Sequence, residues 1–440
     1  MRTTSLAIVF FAASMTACGT GPRARVAAAA DTGHFDPAYA AYLELERSEG
    51  ADEELLARVA GALLEEEAGE TDDARSRAAL SQLTLAGTAG EPILDRLSRA
   101  SGRGPGRRGA LEILARRGRE HAILALRAMA DDPDPAAVTS SVLGMDPEAD
   151  RALLLASLDA THGPLRAAAA ARLAPVADRA EVREALEEMA RVDPLPSARA
   201  AAVRSLARAG EGALDALRER LSDADGSVRT AAVDAIFEAD RAAARETLGP
   251  LLAIAPSASG IEAARLLAEP DPNGANEEDA ALARAFLQRA LTASDAALRA
   301  QAGVALAGLS LAAESPTGAV LAALETEQDP FVKLSFARAL ARRARERAFA
   351  VLEELLGAEG MPRAQAAALL ATERHERAIE VLREIVGNAE ADSIDRRTAV
   401  RALARDAMRP DLAERSLLDD DALVRIHAAG GILAAAAARR

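Results

Sequence analysis

The stretch Leu221–Asp240, LSDADGSVRTAAVDAIFEAD, decides the fold. It opens on a turn carrying Asp223, Asp225 and Gly226, passes through the pair Val228-Arg229, and continues in small and apolar residues. Counted from Arg229, Val233 and Ile236 fall four and seven residues on, a spacing that puts both on one face of a helix. The same frame, with gaps, fits at Ser76, Arg107, Val138, Arg166, Arg199, Gly260, Arg299, Lys333, Arg363, Arg396 and Arg425. Neighbouring anchors are 28 to 34 residues apart, except for 39 between Gly260 and Arg299. Twelve copies at such a period predict an all-α fold, a solenoid of stacked helix pairs.

Composition agrees with this. Of 440 residues, 50% are hydrophobic but only 2% are aromatic, so helices must approach closely instead of burying large side chains. Alanine, the best helix former, is abundant, and no segment alternates with the period of a strand. A net charge of −15 argues against a nucleic-acid binder acting through a globally basic surface. Lys333 is the only lysine, so the positive charge is nearly all arginine.

Within each unit a first helix, a turn rich in Asp, Pro and Gly, and a second helix starting near the anchor are expected. The run Asp-x-Asp-Gly-Ser-Val-Arg-x-Ala-Ala-Val at 223–233 resembles the HEAT and HEAT-like repeat, and the likeness extends over residues 74–435. The resemblance implies antiparallel helix pairs stacked into a superhelix, with second helices lining its concave side. The recurring acid in the turn and Arg at the anchor read as a packing ladder between successive units.

Residues 1–17 read as an export signal: Arg2, an apolar run from Leu6 to Ala13, then small residues. Met15-Thr16-Ala17-Cys18 resembles the lipobox of bacterial lipoproteins, with Met where Leu is commonest. That resemblance implies lipidation of Cys18, the only cysteine, and attachment on the periplasmic side of a membrane. The outer membrane is favoured where two are present. Residues 18–34 read as a flexible tether and 35–73 as an N-terminal helical cap, whose polar outer face would end an open solenoid.

Catalytic and metal-binding signals are missing from the sequence. His34, His121, His162, His375 and His427 are scattered without zinc spacing, and the Gly-rich run at 102–109 lacks a phosphate-loop ending. The acid-rich insertion at 269–279 does not match a calcium loop and reads as a solvated loop or a bend. No enzyme activity and no cofactor is expected.

The second helices supply the one candidate surface. Positions one and five beyond each anchor lie opposite the apolar set by the 100° helical step, so both are expected to face solvent on the concave floor. They include Arg77, Arg108, Arg204, Arg265, Arg338, Arg397 and Arg401, against Glu112 and Asp234. The expectation is a basic groove in an acidic shell, binding an acidic segment of a protein partner or an anionic envelope polymer, and no nucleic acid. A membrane-tethered scaffold is the leading reading. A HEAT-like lyase or cofactor-modifying enzyme, and a structural spacer about 100 Å long, are the alternatives.

Overall fold

The computed structural model describes residues 21–102, 104–269, 277–309 and 314–439. Among them there is no strand. Two helices, α1 (Pro22–Ala30) and α2 (Phe35–Glu49), form an N-terminal arm. Twelve pairs follow. The first six are α3 (Glu53–Gly69) with α4 (Asp73–Leu85), α5 (Glu91–Arg99) with α6 (Pro105–Arg116), α7 (Glu120–Arg127) with α8 (Pro135–Ser141), α9 (Arg151–Ser157) with α10 (Gly163–Leu173), α11 (Ala180–Val192) with α12 (Pro196–Leu206), and α13 (Leu214–Arg220) with α14 (Gly226–Ala239). The rest are α15 (Arg241–Leu248) with α16 (Ala258–Leu267), α17 (Glu277–Ala290) with α18 (Ala296–Gly308), α19 (Glu314–Thr326) with α20 (Pro330–Leu340), α21 (Arg345–Leu355) with α22 (Met361–Ala371), α23 (Glu376–Gly387) with α24 (Ser393–Arg401), and α25 (Pro410–Ala413) with α26 (Ala422–Ala438). Every anchor falls in the second helix of its pair.

Two acids in the turn explain why the second helices start where they do. The acid four residues before the anchor is the N-cap: Asp225 accepts from Ser227 N–H, Asp295 from Ala297, Asp329 from Phe331 and Val332, and Asp421 from Leu423. Each cap satisfies donors that the helix cannot. The acid six residues before the anchor instead receives the anchor arginine of the preceding unit. Arg166 grips Asp193 with Nε and Nη2 at 2.7 and 2.9 Å, Arg199 grips Asp223 at 2.9 and 2.8 Å, and Arg299 grips Glu327 at 2.7 and 3.0 Å. The same guanidinium reaches back to its own turn, as Arg299 does to the Ala293 and Ser294 carbonyls. Each of these anchor arginines thus fastens one turn and joins it to the next.

Second helices pack side by side in unbroken succession, while first helices make little contact with one another. The second helices are therefore the inner layer of a curved stack. The curve closes. The last helix, α26, packs on α24 behind it and on α3 and α4 ahead of it, as any second helix packs on its neighbours. Arg425 reaches the Asp419 carbonyl of its own turn at 2.7 Å and Glu67 at 3.0 Å, so the ladder's last rung is made to the first unit. Arg439 pairs with Glu53, and Tyr39 on the arm donates to Glu414 at 3.5 Å. One of the two hydrophobic cores is built from both ends of the chain, with Leu56, Val59 and Leu83 sharing it with Val424, Ile426 and Ile432.

Closure needs close approach on both flanks of α26. A Cβ on Gly430 would collide with Gln82 of α4, and one on Gly431 would come to 2.8 Å from the Ala404 Cβ. Two adjacent glycines let the helix sit between its neighbours, at the usual cost in helix propensity.

Three expectations change. The segment expected as a tether is helical from Pro22, with Val26 fully buried and Arg58 bonded to Asp31. No polar end cap forms from residues 35–73, because α3 and α4 are covered by α26 and need none. The open rod of about 100 Å becomes a circumference: twelve helices about 8–10 Å apart, each about 5 Å in radius, enclose a hole on the order of 20 Å wide.

Candidate functional site: the inner wall of the ring

The inner wall is the exposed face of the second helices, and its register differs from the one expected. Ala200, Ile261, Leu334, Ala364 and Ile426, each one residue beyond an anchor, are buried. Packing of the second helices on one another covers them, which a single-helix wheel cannot include, while Arg77 and Arg397 of the same row stay outside the core. Residues two before, two beyond and five beyond the anchors line the wall instead, as in Phe331, Ser335 and Arg338 of α20 and Ile394, Thr398 and Arg401 of α24. Spacings of four and three keep such residues on one face.

The seven arginines separate on this geometry. Arg108 is largely buried and bonds Asp134, the cap of α8, at 2.9 Å, so it fastens two units together. Arg77 is exposed and paired with Asp73 at 2.8 Å. Arg265 is spent on Glu262, its Nε lying 3.0 and 2.9 Å from the two carboxylate oxygens. Arg204 is exposed and close enough to Asp234 to act on its charge. Arg397 donates from Nε to the Ser393 carbonyl at 3.0 Å, and Arg401 lies beside it one turn on. Arg338 is exposed, with no carboxylate at ion-pair distance among the described residues. Thus Arg338, Arg397 and Arg401 form one basic sector over α20–α24, and the remaining four do not extend it.

His427 on α26 borders that sector. Its Nδ1 carries a proton, since it lies 2.7 Å from the Leu423 carbonyl, which can only accept. Burial holds the imidazole below its usual range and the charges of Arg397 and Arg401 push the same way, so the ring is neutral. Val304, Phe331 and Ile394 are each about half exposed on the same wall and give it apolar ground. Reading the rows two before and two beyond each anchor would have found Phe331, Ile394 and His427.

A second polar group sits on the wall between α14 and α16. Burial and a hydrogen bond with Glu262 push Asp234 up to about 6. Burial also opposes the charge on Glu262, but hydrogen bonds from Arg265 and Asp234 outweigh it and hold that carboxyl low. With both acids ionised, Arg204 and Arg265 balance them.

Cys18 and residues 270–276 of the acid-rich insertion lie outside the described residues. Among the described residues no group of three or more His, Cys, Asp or Glu could hold a metal ion, and no helix is long and apolar enough to cross a membrane. No family model matches the chain, and no curated protein matches it. One solved structure, described as the crystal structure of an engineered protein, aligns over 90% of this chain and 98% of its own at 22% identity, with a TM-score of 0.28. A likeness that loose carries no argument.

Proposed function

We propose that the chain is a HEAT-like ring that serves as a membrane-tethered interaction scaffold of the bacterial cell envelope, held by a lipid on Cys18 and receiving an acidic segment of a protein partner on its inner wall. The observation that carries the partner surface is the set Arg338 on α20 with Arg397 and Arg401 on α24, none of which has a carboxylate at ion-pair distance among the described residues, whereas Arg77 and Arg265 each do. Flanking Ile394 and Phe331 add apolar contact, so the fitting ligand alternates acidic and apolar side chains. Such binding weakens as salt rises.

Two measurements test it. Reversal of Arg338, Arg397 and Arg401 to Glu is expected to abolish capture of the partner from envelope extracts, while reversal of Arg347, Arg377 and Arg383 on the outer helices leaves it intact. Equal loss in both variants, or none in either, rejects the surface; capture of an anionic polymer in place of a protein rejects the choice of partner. For the anchor, the parent is expected to label with a fatty-acid probe and sediment with membranes, and Cys18→Ala to do neither.

A further inference from the structure

The ladder of anchor arginines is interrupted between α22 and α24. Arg363, the anchor of α22, donates to the Leu356 carbonyl at 3.1 Å and then turns to Glu384 on α23 at 2.6 Å, whereas Arg166, Arg199, Arg299 and Arg396 reach an acid in the turn ahead. Beside this joint, where the turns form the edge of the ring, lies a cavity of about 930 Å³. Its charged lining is Glu359, Glu384, Asp392 and Asp395 against Arg363 alone, and Ala358, Ile385 and Ala391 give it apolar ground. Asp395, in the first turn of α24, is only 8% exposed, and among the described residues nothing donates a hydrogen bond to its carboxylate or pairs with it. Burial, and after it the charge of Asp392, hold that carboxyl above its usual range.

Charge decides what class of ligand suits such a lining. Four carboxylates stand against one guanidinium that Glu384 already holds, so the cavity favours a cation. The acids come from the turn before α22, the end of α23 and the start of α24, and among the described residues no three converge as a metal ion requires. Positive charge spaced along a chain meets such a set better than one compact ion does. A linear polyamine has that make-up: ammonium groups with three donors each, separated by methylenes that suit Ala358, Ile385 and Ala391. The volume lies within the range of ligand pockets. We propose that this cavity binds a linear polyamine, with one ammonium on Asp395 and Asp392 and another on Glu359. Bound there, it joins the turn before α22 to the start of α24, as Arg396 joins α24 to the turn before α26 one joint on.

The inference does not rest on the partner surface proposed above, since it concerns another set of residues and a ligand of opposite charge. Calorimetric titration of the full chain with spermidine is expected to show a saturable site, and spermidine to raise the melting point. Asp395→Asn, which keeps the shape of the side chain, and Glu359→Gln are each expected to weaken binding about tenfold, equivalent to about 1.4 kcal/mol. The paired change Glu376→Gln and Glu380→Gln, on the exposed face of α23, removes as much charge outside the cavity and is expected to leave binding unchanged. Glu359 is exposed, so its variant leaves the ring intact and decides the matter should Asp395→Asn disturb the fold. No saturable binding, equal loss in the control pair, full affinity in either single variant, or displacement by magnesium at equal ionic strength overturns the proposal.

Discussion

Where a turn carries two acids two residues apart, as at Asp223 and Asp225, they do different work. Asp225 caps its own helix, and Asp223 receives Arg199 from the unit before. The second kind is nearly buried, with the Asp223 side chain 6% exposed, so removing its arginine leaves a charge away from water. The hydrogen bonds of Arg166, Arg199 and Arg299 hold Asp193, Asp223 and Glu327 below the usual carboxylate range. A folded-state value below the unfolded one means stability that is present above the ordinary carboxylate range, about pH 4, and lost as pH falls through it. Thermal unfolding followed from pH 7 to pH 3 is therefore expected to show a steep loss at the acid end, and Arg199→Met to show a lower melting point with a shallower loss. Equal slopes would remove the ladder from the account. Asp234 has the opposite sign: its raised value adds stability at low pH that is lost as pH rises through about 6.

At the scale of elements, α14 contains the full pattern and shows what a unit requires. Val228, Val233 and Ile236 are fully buried, between α12 on one side and α16 on the other. Ile236→Asp puts an unpaired charge there and is expected to cost several kcal/mol. Amide exchange should rise in α12 and α16 as well as in α14, since each helix is buried only by its neighbours. Exchange confined to α14 would mean that the units are independent. The second helices were legible in the sequence because caps, anchors and apolar residues recur at fixed offsets. The first helices were less so: α25 has four residues and α13 seven, too short for a periodic pattern. Residues 22–30 resemble a linker because alanine gives a helix without marking a face, and only Val26 and Ala30 are buried. The candidate surface was half legible. The row five beyond the anchor reaches the wall, whereas the row one beyond is divided: Ala200, Ile261, Leu334, Ala364 and Ile426 are buried and Arg77 and Arg397 are not, which depends on how two units rotate against each other.

The closed ring is a property of the whole molecule, and its local signals look ordinary. Glu67 lies in a run of three acids and Gly430-Gly431 near the end of the last repeat, and neither marks a seam by itself. Only their contacts, Glu67 with Arg425 and the glycines with Gln82 and Ala404, give them meaning. Gly430→Val is expected to overpack the seam by about 1–3 kcal/mol, and with Arg425→Ala to let the ends part. Small-angle scattering should then show a larger radius of gyration with helix content unchanged; an unchanged radius would mean that the seam is held elsewhere. Closure also alters how such a chain can evolve. An open array can gain or lose a unit by duplication or deletion at either end and keep its remaining contacts. Here each unit turns the path by about a twelfth of a circle, so the gain or loss of one leaves a gap or an overlap that every other joint must absorb. The repeat number is thereby frozen. Divergence is left to substitution and to lengthening of the loops between helices, and the 39-residue interval after Gly260 is the largest departure of the second kind.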